Sequence, residues 1–145
     1  MKRERTIEIT RLVWNNIANL NDETLIYHSN TYQIKRDVLT RLVCRKLIKK
    51  SEFTRLINFH ACAFCVNHLF DTCENCPGLK LWDKNVNLVA FYKRAIICEH
   101  SKSSPYRKFR DLQKLVYTKK DISSSKEHIL ELRRLAKEIA DFDYE

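Results

Sequence analysis

The chain has 145 residues, of which 44% are hydrophobic, and this length and composition fit one domain with a substantial core. Its formal net charge is +9. One Gly and two Pro exclude collagen-like chains and disfavour turn-rich β-sandwiches and barrels. Folds that hold a phosphate on a Gly-rich turn are disfavoured on the same ground. We therefore expect a mainly α fold, a small helical domain.

Neither a secretory signal nor a membrane span is predicted. The first residues contain no apolar run of signal-peptide length, and no stretch of about 18 apolar residues occurs. We therefore expect a cytoplasmic protein without a membrane partner. In such a reducing compartment, clustered cysteines indicate metal ligands rather than disulfides.

Two elements are predicted near the N-terminus. Residues 6–20 form a helix with one apolar face, because Ile9, Leu12, Val13, Ile17 and Leu20 recur near helical spacing. Residues 24–34 are rich in β-branched and aromatic residues around Ser29-Asn30, and Asn tolerates the left-handed conformation of tight turns. This second pattern predicts a short β-hairpin packed on helices.

A basic amphipathic helix is predicted over residues 37–50, with Asp37 as its N-cap. Cys44 lies beside the apolar stripe and is expected to be buried as a small hydrophobic residue. Ser51 is expected to cap a further short helix that ends near His60. The stripe of the basic helix consists of Val38, Leu39, Leu42, Val43 and Leu47.

Two more helices are predicted in the C-terminal part. Pro105 suits the first turn of a helix over residues 104–117. Ser124 and Glu127 have the spacing of a capping box before the last helix. The apolar stripes of these two helices are Tyr106, Phe109, Leu112, Leu115 and Val116, and then Ile129, Leu132, Leu135, Ile139 and Phe142.

The centre of the chain carries two CxxC pairs separated by seven residues: Cys62, Cys65, Cys73 and Cys76. Two CxxC turns that face each other provide the tetrahedral four-sulfur cage that zinc accepts. The pattern therefore predicts a zinc knuckle that holds a structural Zn²⁺, with an iron–sulfur cluster as the second candidate. Cys98 is an alternative fourth ligand, and His60 and His68 also lie within reach in sequence.

An enzymatic role is not expected. A redox CxxC needs a βαβ setting, which this chain does not predict. Four thiolate ligands leave zinc no open position for catalysis, and His60-Ala61-Cys62 lacks the Glu of the zinc deaminases. Neither a Ser/His/Asp arrangement nor paired carboxylates can be identified.

The cysteine order resembles that of a group of small uncharacterised bacteriophage proteins. The matching residues are Cys62, Cys65, Cys73, Cys76-Pro77, Cys98 and Ser104-Pro105-Tyr106, and the resemblance covers roughly residues 60–140. The group usually has Pro-Leu inside the first pair, where this chain has Ala63-Phe64. The resemblance implies a zinc knuckle and a phage setting, hence the host cytoplasm, and adds Cys98 to the candidate site residues.

These elements predict a single domain over residues 1–145. It consists of a basic helical and hairpin part (1–59), a zinc-knuckle part (60–100) and C-terminal helices (101–145). The basic residues are concentrated in two stretches, since residues 35–55 carry eight against two acids and residues 102–120 carry seven against one.

Such stretches favour anionic partners, although a solvated helical surface gives the same pattern. Tyr27, Tyr32, Tyr106 and Phe109 lie near them and offer stacking surfaces, while core packing is the expected role of most. No groove-reading motif is present, so binding is expected to be chiefly electrostatic. The candidate anion-binding residues are Lys35, Arg36, Arg41, Arg45, Lys46, Lys49, Lys50, Arg107, Lys108 and Arg110.

We therefore expect a basic binding protein that contacts nucleic acid or a nucleic-acid-associated complex. The alternative is a phage accessory inhibitor or adaptor that binds a host or anti-phage defence protein, either acidic or itself nucleic-acid-binding. Retention of a partner after nuclease treatment would favour this alternative.

Overall fold

A computed structural model describes residues 2–57 and 104–144 of the chain. Within these two ranges the fold is helical and contains no strand, which confirms the predicted mainly α class. None of these helices is both long and apolar enough to cross a membrane. The helices are α1 (Arg3–Ala18), α2 (Asp22–Tyr27), α3 (Thr31–Cys44), α4 (Lys50–Ile57), α5 (Pro105–Lys119) and α6 (Lys126–Asp141), with a 3₁₀ turn at Ser123–Ser125.

Four of the helices form a ring. Helix α1 packs against α3 and α6, and α5 packs against α6 and α3, so each member has two neighbours. The short helices α2 and α4 lie against α5 and α3, respectively. The apolar faces of all six helices meet in one core, which places the N-terminal and C-terminal parts of the chain in the same bundle.

Neighbouring helices in the ring are antiparallel. Arg5 at the start of α1 reaches the carbonyl of Leu47 just after α3, and Arg3 donates to the carbonyl of Tyr144 just after α6. Lys137 donates to Asn15 near the end of α1, and Arg133, one turn earlier in α6, donates to the carbonyls of Ala18 and Leu20, where α1 ends. One end of the bundle therefore carries the start of α1 together with the ends of α3 and α6, and the opposite end carries the C-terminus of α1.

Helices α3 and α5 also run in opposite directions. Near the start of α5, Tyr106 lies over Lys35 in α3, whereas Gln113, two turns later, donates to the carbonyl of His28 before α3. The start of α5 therefore lies towards the C-terminal part of α3. The end of α5 lies beside α2 and the beginning of α3.

Trp14 links the two halves of the chain at the centre of the bundle. Its indole contacts Phe109 and Tyr106 edge to face, with ring centroids 5.2 and 5.9 Å apart. All three side chains are buried. Such aromatic pairs add roughly 0.5–1.5 kcal/mol each beyond the burial of their area.

Helix α1 confirms the predicted apolar face. Ile9, Val13, Ile17 and Leu20 are buried, and Leu12 packs partly buried against the core. The helix begins at Arg3, three residues before the predicted start.

The predicted β-hairpin over residues 24–34 is wrong. Asn21 and Asn30 are helix N-caps, and their side-chain oxygens accept hydrogen bonds from the N–H groups of Thr24 and Gln33. The Gln33 side chain accepts in return from Ser29. These bonds satisfy the free N–H groups of the first helical turns, so the segment forms α2 and the start of α3 instead of strands.

Helix α3 is displaced from its predicted range of 37–50. Asp37 is not its cap but lies within the helix, where it accepts from Arg41. Ile34 extends the buried stripe of Val38, Leu39 and Leu42 towards the N-terminus. Cys44 is exposed rather than buried, because the helix ends there and the chain turns away from the core.

Helix α4 begins at Lys50, so Ser51 lies inside it and is not its cap. Its first turn is capped by Glu52, which accepts from the N–H of Lys49. The predicted end near His60 falls outside the described residues.

The C-terminal pair of helices is largely as predicted. Pro105 occupies the first turn of α5, and the hydroxyl of Ser104 caps the helix by accepting from the N–H of Arg107. Leu115 is wrongly assigned to the core, since it is 44% exposed, and Gln113 is buried in the stripe instead. The stripe of α6 is confirmed at Ile129, Leu132, Leu135 and Ile139, with Phe142 partly buried beyond the helix end.

The predicted capping box of α6 does not form. Ser124 lies in the 3₁₀ turn, where its hydroxyl donates to the carbonyl of Asp121. The helix begins at Lys126, so Ser124 is one residue too early to cap it. Asp121 instead organises the turn, accepting from both the N–H and the hydroxyl of Ser123.

Arg133 of α6 supplies the polar partner for the C-terminal end of α1. Its guanidinium donates to the carbonyls of Ala18 and Leu20 and to the carboxylate of Asp22, at 2.8, 2.5 and 2.5 Å. A helix leaves its last carbonyls without intrahelical partners, and a cation is favourable at this end. The side chain therefore holds the end of α1, the start of α2 and α6 together.

An ion pair holds the start of α1 against the turn between α3 and α4. The guanidinium of Arg5 donates to both carboxylate oxygens of Glu52, at 2.8 and 3.0 Å, and to the carbonyl of Leu47 at 2.9 Å. The side chain of Glu52 is 11% exposed. Because Glu52 also caps α4 through Lys49, one carboxylate organises the whole turn.

The same contacts change the titration of both groups. The hydrogen bonds from Arg5 hold the pKa of Glu52 below its ordinary value of 4.5; burial opposes this shift, and the N–H of Lys49 adds to it. The pKa of Arg5 is raised above its ordinary value, mainly by its bonds to Glu52 and then to Glu8.

We expect Glu52→Ala to lower the free energy of unfolding by about 2 kcal/mol, because the N–H of Lys49 loses its acceptor and Arg5 loses two charge-assisted hydrogen bonds. Glu8→Ala is the matched control: it removes an exposed carboxylate that also pairs with Arg5, and should cost less than about 0.5 kcal/mol. Urea unfolding measures both changes. Equal losses in the two variants would contradict the role of Glu52.

The contribution of Glu52 should depend on pH. A carboxylate with a depressed folded-state pKa stabilises the fold above its unfolded pKa, and this stability is lost as pH falls through the folded value. The stability difference between the native chain and Glu52→Gln should therefore be full near about pH 7 and shrink below about pH 4.5. Urea midpoints across this range test it, and a difference that stays constant to about pH 3 would refute it.

Candidate nucleic-acid interface

Five predicted anion-binding residues lie together where α3 turns into α4. We call this surface the basic corner, and all five of its side chains are exposed. It consists of Arg41, Arg45, Lys46, Lys49 and Lys50. Arg41 lies in the last turn of α3, Lys50 is the first residue of α4, and the other three lie in the turn between the two helices.

The backbone explains why the corner projects from the bundle. Lys46 adopts the left-handed conformation with φ of 59°, and the N–H groups of Lys46 and Leu47 bond the carbonyls of Val43 and Leu42. This is a Schellman ending, in which Gly is the usual left-handed residue. Ile48 is then buried and anchors the turn to the core, so the lysines on either side remain in solvent.

The corner carries positive charge that is largely not neutralised by its surroundings. Arg41 pairs with Asp37 at 3.2 Å. Arg45, Lys46, Lys49 and Lys50 form no ion pair with a carboxylate in residues 2–57 or 104–144. Arg36 on α3 and Arg55 on α4 are exposed as well.

Lys35 does not belong to the exposed surface. It is 7% exposed, and its ammonium lies 5.4 Å from the centre of the Tyr106 ring. A cation over an aromatic face within about 6 Å is held by the ring quadrupole. This predicted anion-binding residue therefore packs between α3 and α5.

The second basic stretch is less exposed than the first. Arg107 pairs with Asp111 one turn later at 2.9 Å, and Arg110 is half-buried. Lys108 is exposed, and its charge contributes to lowering the pKa of Glu131 on α6, after the main effect of Arg134. Because α5 and α3 are antiparallel, these residues, which belong to the first two turns of α5, lie towards the end of the bundle that carries the basic corner.

The four aromatic residues predicted as stacking candidates differ in their exposure to solvent. Tyr106 and Phe109 are buried against Trp14, and Tyr32 donates its hydroxyl to the carbonyl of Ile57. Tyr27 is different, because it is 78% exposed. Of the four, Tyr27 offers a free ring face to solvent.

The candidate metal ligands Cys62, Cys65, Cys73, Cys76 and Cys98 lie outside the described residues, as do His60 and His68. Residues 2–57 and 104–144 contain no group of three or more His, Cys, Asp or Glu side chains placed to hold a metal ion. The helical part of the structure therefore offers no alternative metal site.

Two residues important to the surface were not anticipated from the sequence. Glu52 fixes the basic corner through Arg5, but the two are separated by 47 positions and no local pattern connects them. Tyr117 lies on α5 beside Lys120, with the ammonium 5.1 Å from the ring centre. Tyr117 is four residues after Gln113, so both lie on the same face of α5, and Gln113 bonds the carbonyl of His28 at the end of α2. Tyr117 therefore lies on the side of α5 that faces α2.

Comparisons of the chain with protein-family models, curated proteins and solved structures find no significant match.

Proposed function

We propose that the protein is a non-enzymatic nucleic-acid-binding protein that contacts phosphates through the basic corner. The observation that carries this proposal is the cluster of four exposed cations, Arg45, Lys46, Lys49 and Lys50, without carboxylate partners among the described residues. Each phosphate that such a residue neutralises releases condensed counterions, which makes binding favourable and sensitive to salt.

The geometry supports phosphate contact rather than base reading. The lysines project from a turn between two helices, and a turn of this kind presents flexible cations instead of a helix face that enters a groove. We expect modest sequence preference and affinity that falls steeply as salt rises.

The rigid base of the corner supports the proposal. Glu52 binds the main-chain N–H of Lys49, and Ile48 is buried, so the backbone is fixed while the lysine side chains remain free. Charge on a fixed turn loses less conformational entropy on binding than charge on a disordered tail.

The double variant Lys49→Gln/Lys50→Gln should weaken binding of a duplex of about 20 base pairs roughly tenfold at moderate salt. The slope of log affinity against log salt should fall by about 1.8, because two phosphate contacts are lost. Fluorescence anisotropy over a salt series measures both quantities. The substitutions leave the Lys49 main-chain bond to Glu52 intact, so the fold should be retained.

Lys119→Gln/Lys120→Gln is the matched control, because it removes the same charge at the opposite end of the bundle. We expect it to change duplex affinity less than about twofold. Equal losses from the two double variants would refute the assignment to the basic corner. No duplex binding, together with a protein partner retained after nuclease treatment, would favour the inhibitor or adaptor function.

A structural zinc ion is the second part of the proposal. The donor set of Cys62, Cys65, Cys73 and Cys76 supplies four soft thiolates in two CxxC pairs, which suits tetrahedral zinc. Cys98 remains the alternative fourth ligand, and the resemblance to phage proteins draws on the same cysteines. Bound zinc would supply cross-linking of the chain and no chemistry of its own.

Thorough chelation should lower the melting temperature by more than about 10 °C, because the binding energy of a structural metal is coupled to folding. Metal analysis should find one zinc per native chain and a loss in Cys65→Ser. Cys73→Ser compared with Cys98→Ser identifies the fourth ligand. Cys44→Ser is the control, since Cys44 is exposed on α3, and it should retain the metal. An unchanged melting temperature after chelation would argue against a structural metal.

A further inference from the structure

An open cleft lies between α2 and α5, at the end of the bundle opposite the basic corner. Its volume is about 530 Å³, and two tyrosine side chains line it. Beside the lining residues Tyr27 and Ser29, the carbonyl of His28 accepts from the side chain of Gln113, which ties α5 to the end of α2. The lining residues that matter here are Glu23, Tyr27, Ser29, Gln33, Tyr117 and Lys120.

Tyr27 is the aromatic ring of the cleft that is open for stacking. Tyr27 is 78% exposed, the highest exposure among the large hydrophobic side chains of the described residues. The ring of His28 contacts it edge to face, with centroids 5.5 Å apart and planes at 76°, so a face of the tyrosine remains open. Tyr117 is half-buried on the facing helix.

Positive charge lies beside these rings. Lys120 ends α5 in the left-handed conformation with φ of 50°, and its ammonium lies over the ring of Tyr117. Lys114 is exposed one turn before Tyr117 on α5, and neither Lys114 nor Lys120 forms an ion pair with a carboxylate of the described residues. Glu23 is the acidic residue of the lining, which directs a bound phosphate towards the Lys120 side.

The polar lining can also bond a base edge. The side-chain oxygen of Gln33 already accepts from the N–H and hydroxyl of Ser29. Its amide NH₂ group therefore remains as a donor that can reach an occupant of the cleft.

We propose that this cleft binds an unpaired nucleotide of a single-stranded nucleic acid, with a base stacked on Tyr27 and the adjoining phosphate at Lys120. Stacked aromatic surfaces beside cations are how single strands are held without sequence preference. Bases within a duplex are stacked on each other, so they cannot reach the tyrosine faces. This inference rests on the proposed function and extends it to the strandedness of the ligand.

The test compares a fluorescein-labelled strand of about 12 thymidines with the same strand in a duplex. Tyr27→Ala should lower single-strand affinity about tenfold and leave duplex affinity within about twofold. Tyr27→Phe should retain native affinity, because it keeps the ring face. Lys120→Asn, chosen because Asn tolerates the left-handed conformation, should weaken single-strand binding and lower its salt slope by about 0.7.

Leu115→Ala is the control for losing an exposed apolar side chain. Leu115 is two positions before Tyr117, which places it about 200° around α5 and away from the cleft. It should leave both affinities unchanged. A strand with 5-iodouracil in place of thymine should photocross-link to peptides that contain Tyr27 or Tyr117, which locates the base independently of affinity.

Each outcome decides the proposal. Native single-strand affinity in Tyr27→Ala, with duplex binding intact, would overturn the cleft and leave the proposed function standing. Equal losses for single strand and duplex would also overturn it, since the tyrosine would then not distinguish unpaired bases. A native chain that binds neither probe would overturn both proposals.

Discussion

The packing of Trp14 against Phe109 and Tyr106 is the contact on which the bundle depends. Trp14 belongs to α1 and its two partners to α5, which are opposite members of the ring rather than neighbours. Their rings therefore fill the centre that α3 and α6 enclose. Because Trp14 and its two partners lie at opposite ends of the chain, the contact fixes the N-terminal helices on the C-terminal pair, and the cleft between α2 and α5 follows from that placement.

Two helix endings show how the fold places cations. The chain has one Gly, at position 78, so the left-handed residues that close α3 and α5 are Lys46 and Lys120. A left-handed lysine costs roughly 1–2 kcal/mol relative to the right-handed form. Each ending therefore carries a positive side chain at a price in conformational energy, and the antiparallel arrangement of α3 and α5 places these two lysines towards opposite ends of the bundle.

The sequence predicted the elements whose signal is local and apolar. The stripes of α1 and α6 follow from helical spacing, and the place of Pro105 in the first turn of α5 follows from the fixed φ of proline; all three are present. The hairpin prediction is wrong because the side chain of Asn30, which also suits a tight turn, caps a helix instead. Both roles use the same short polar side chain, so composition alone does not separate them. The Arg5–Glu52 pair and the α2–α5 cleft depend on tertiary placement, which no local pattern contains.

The positions of the two candidate sites separate two kinds of recognition. The basic corner consists of cations on a fixed turn, whereas the cleft combines Tyr27 and Tyr117 with the cation of Lys120. Phosphate contact alone does not distinguish paired from unpaired strands, but stacking does. Under the two proposals, the basic corner would contact paired and unpaired strands alike, whereas the cleft would select unpaired bases. The two contributions should then differ in kind, because removing charge changes the salt slope while removing a ring face changes affinity at every salt concentration.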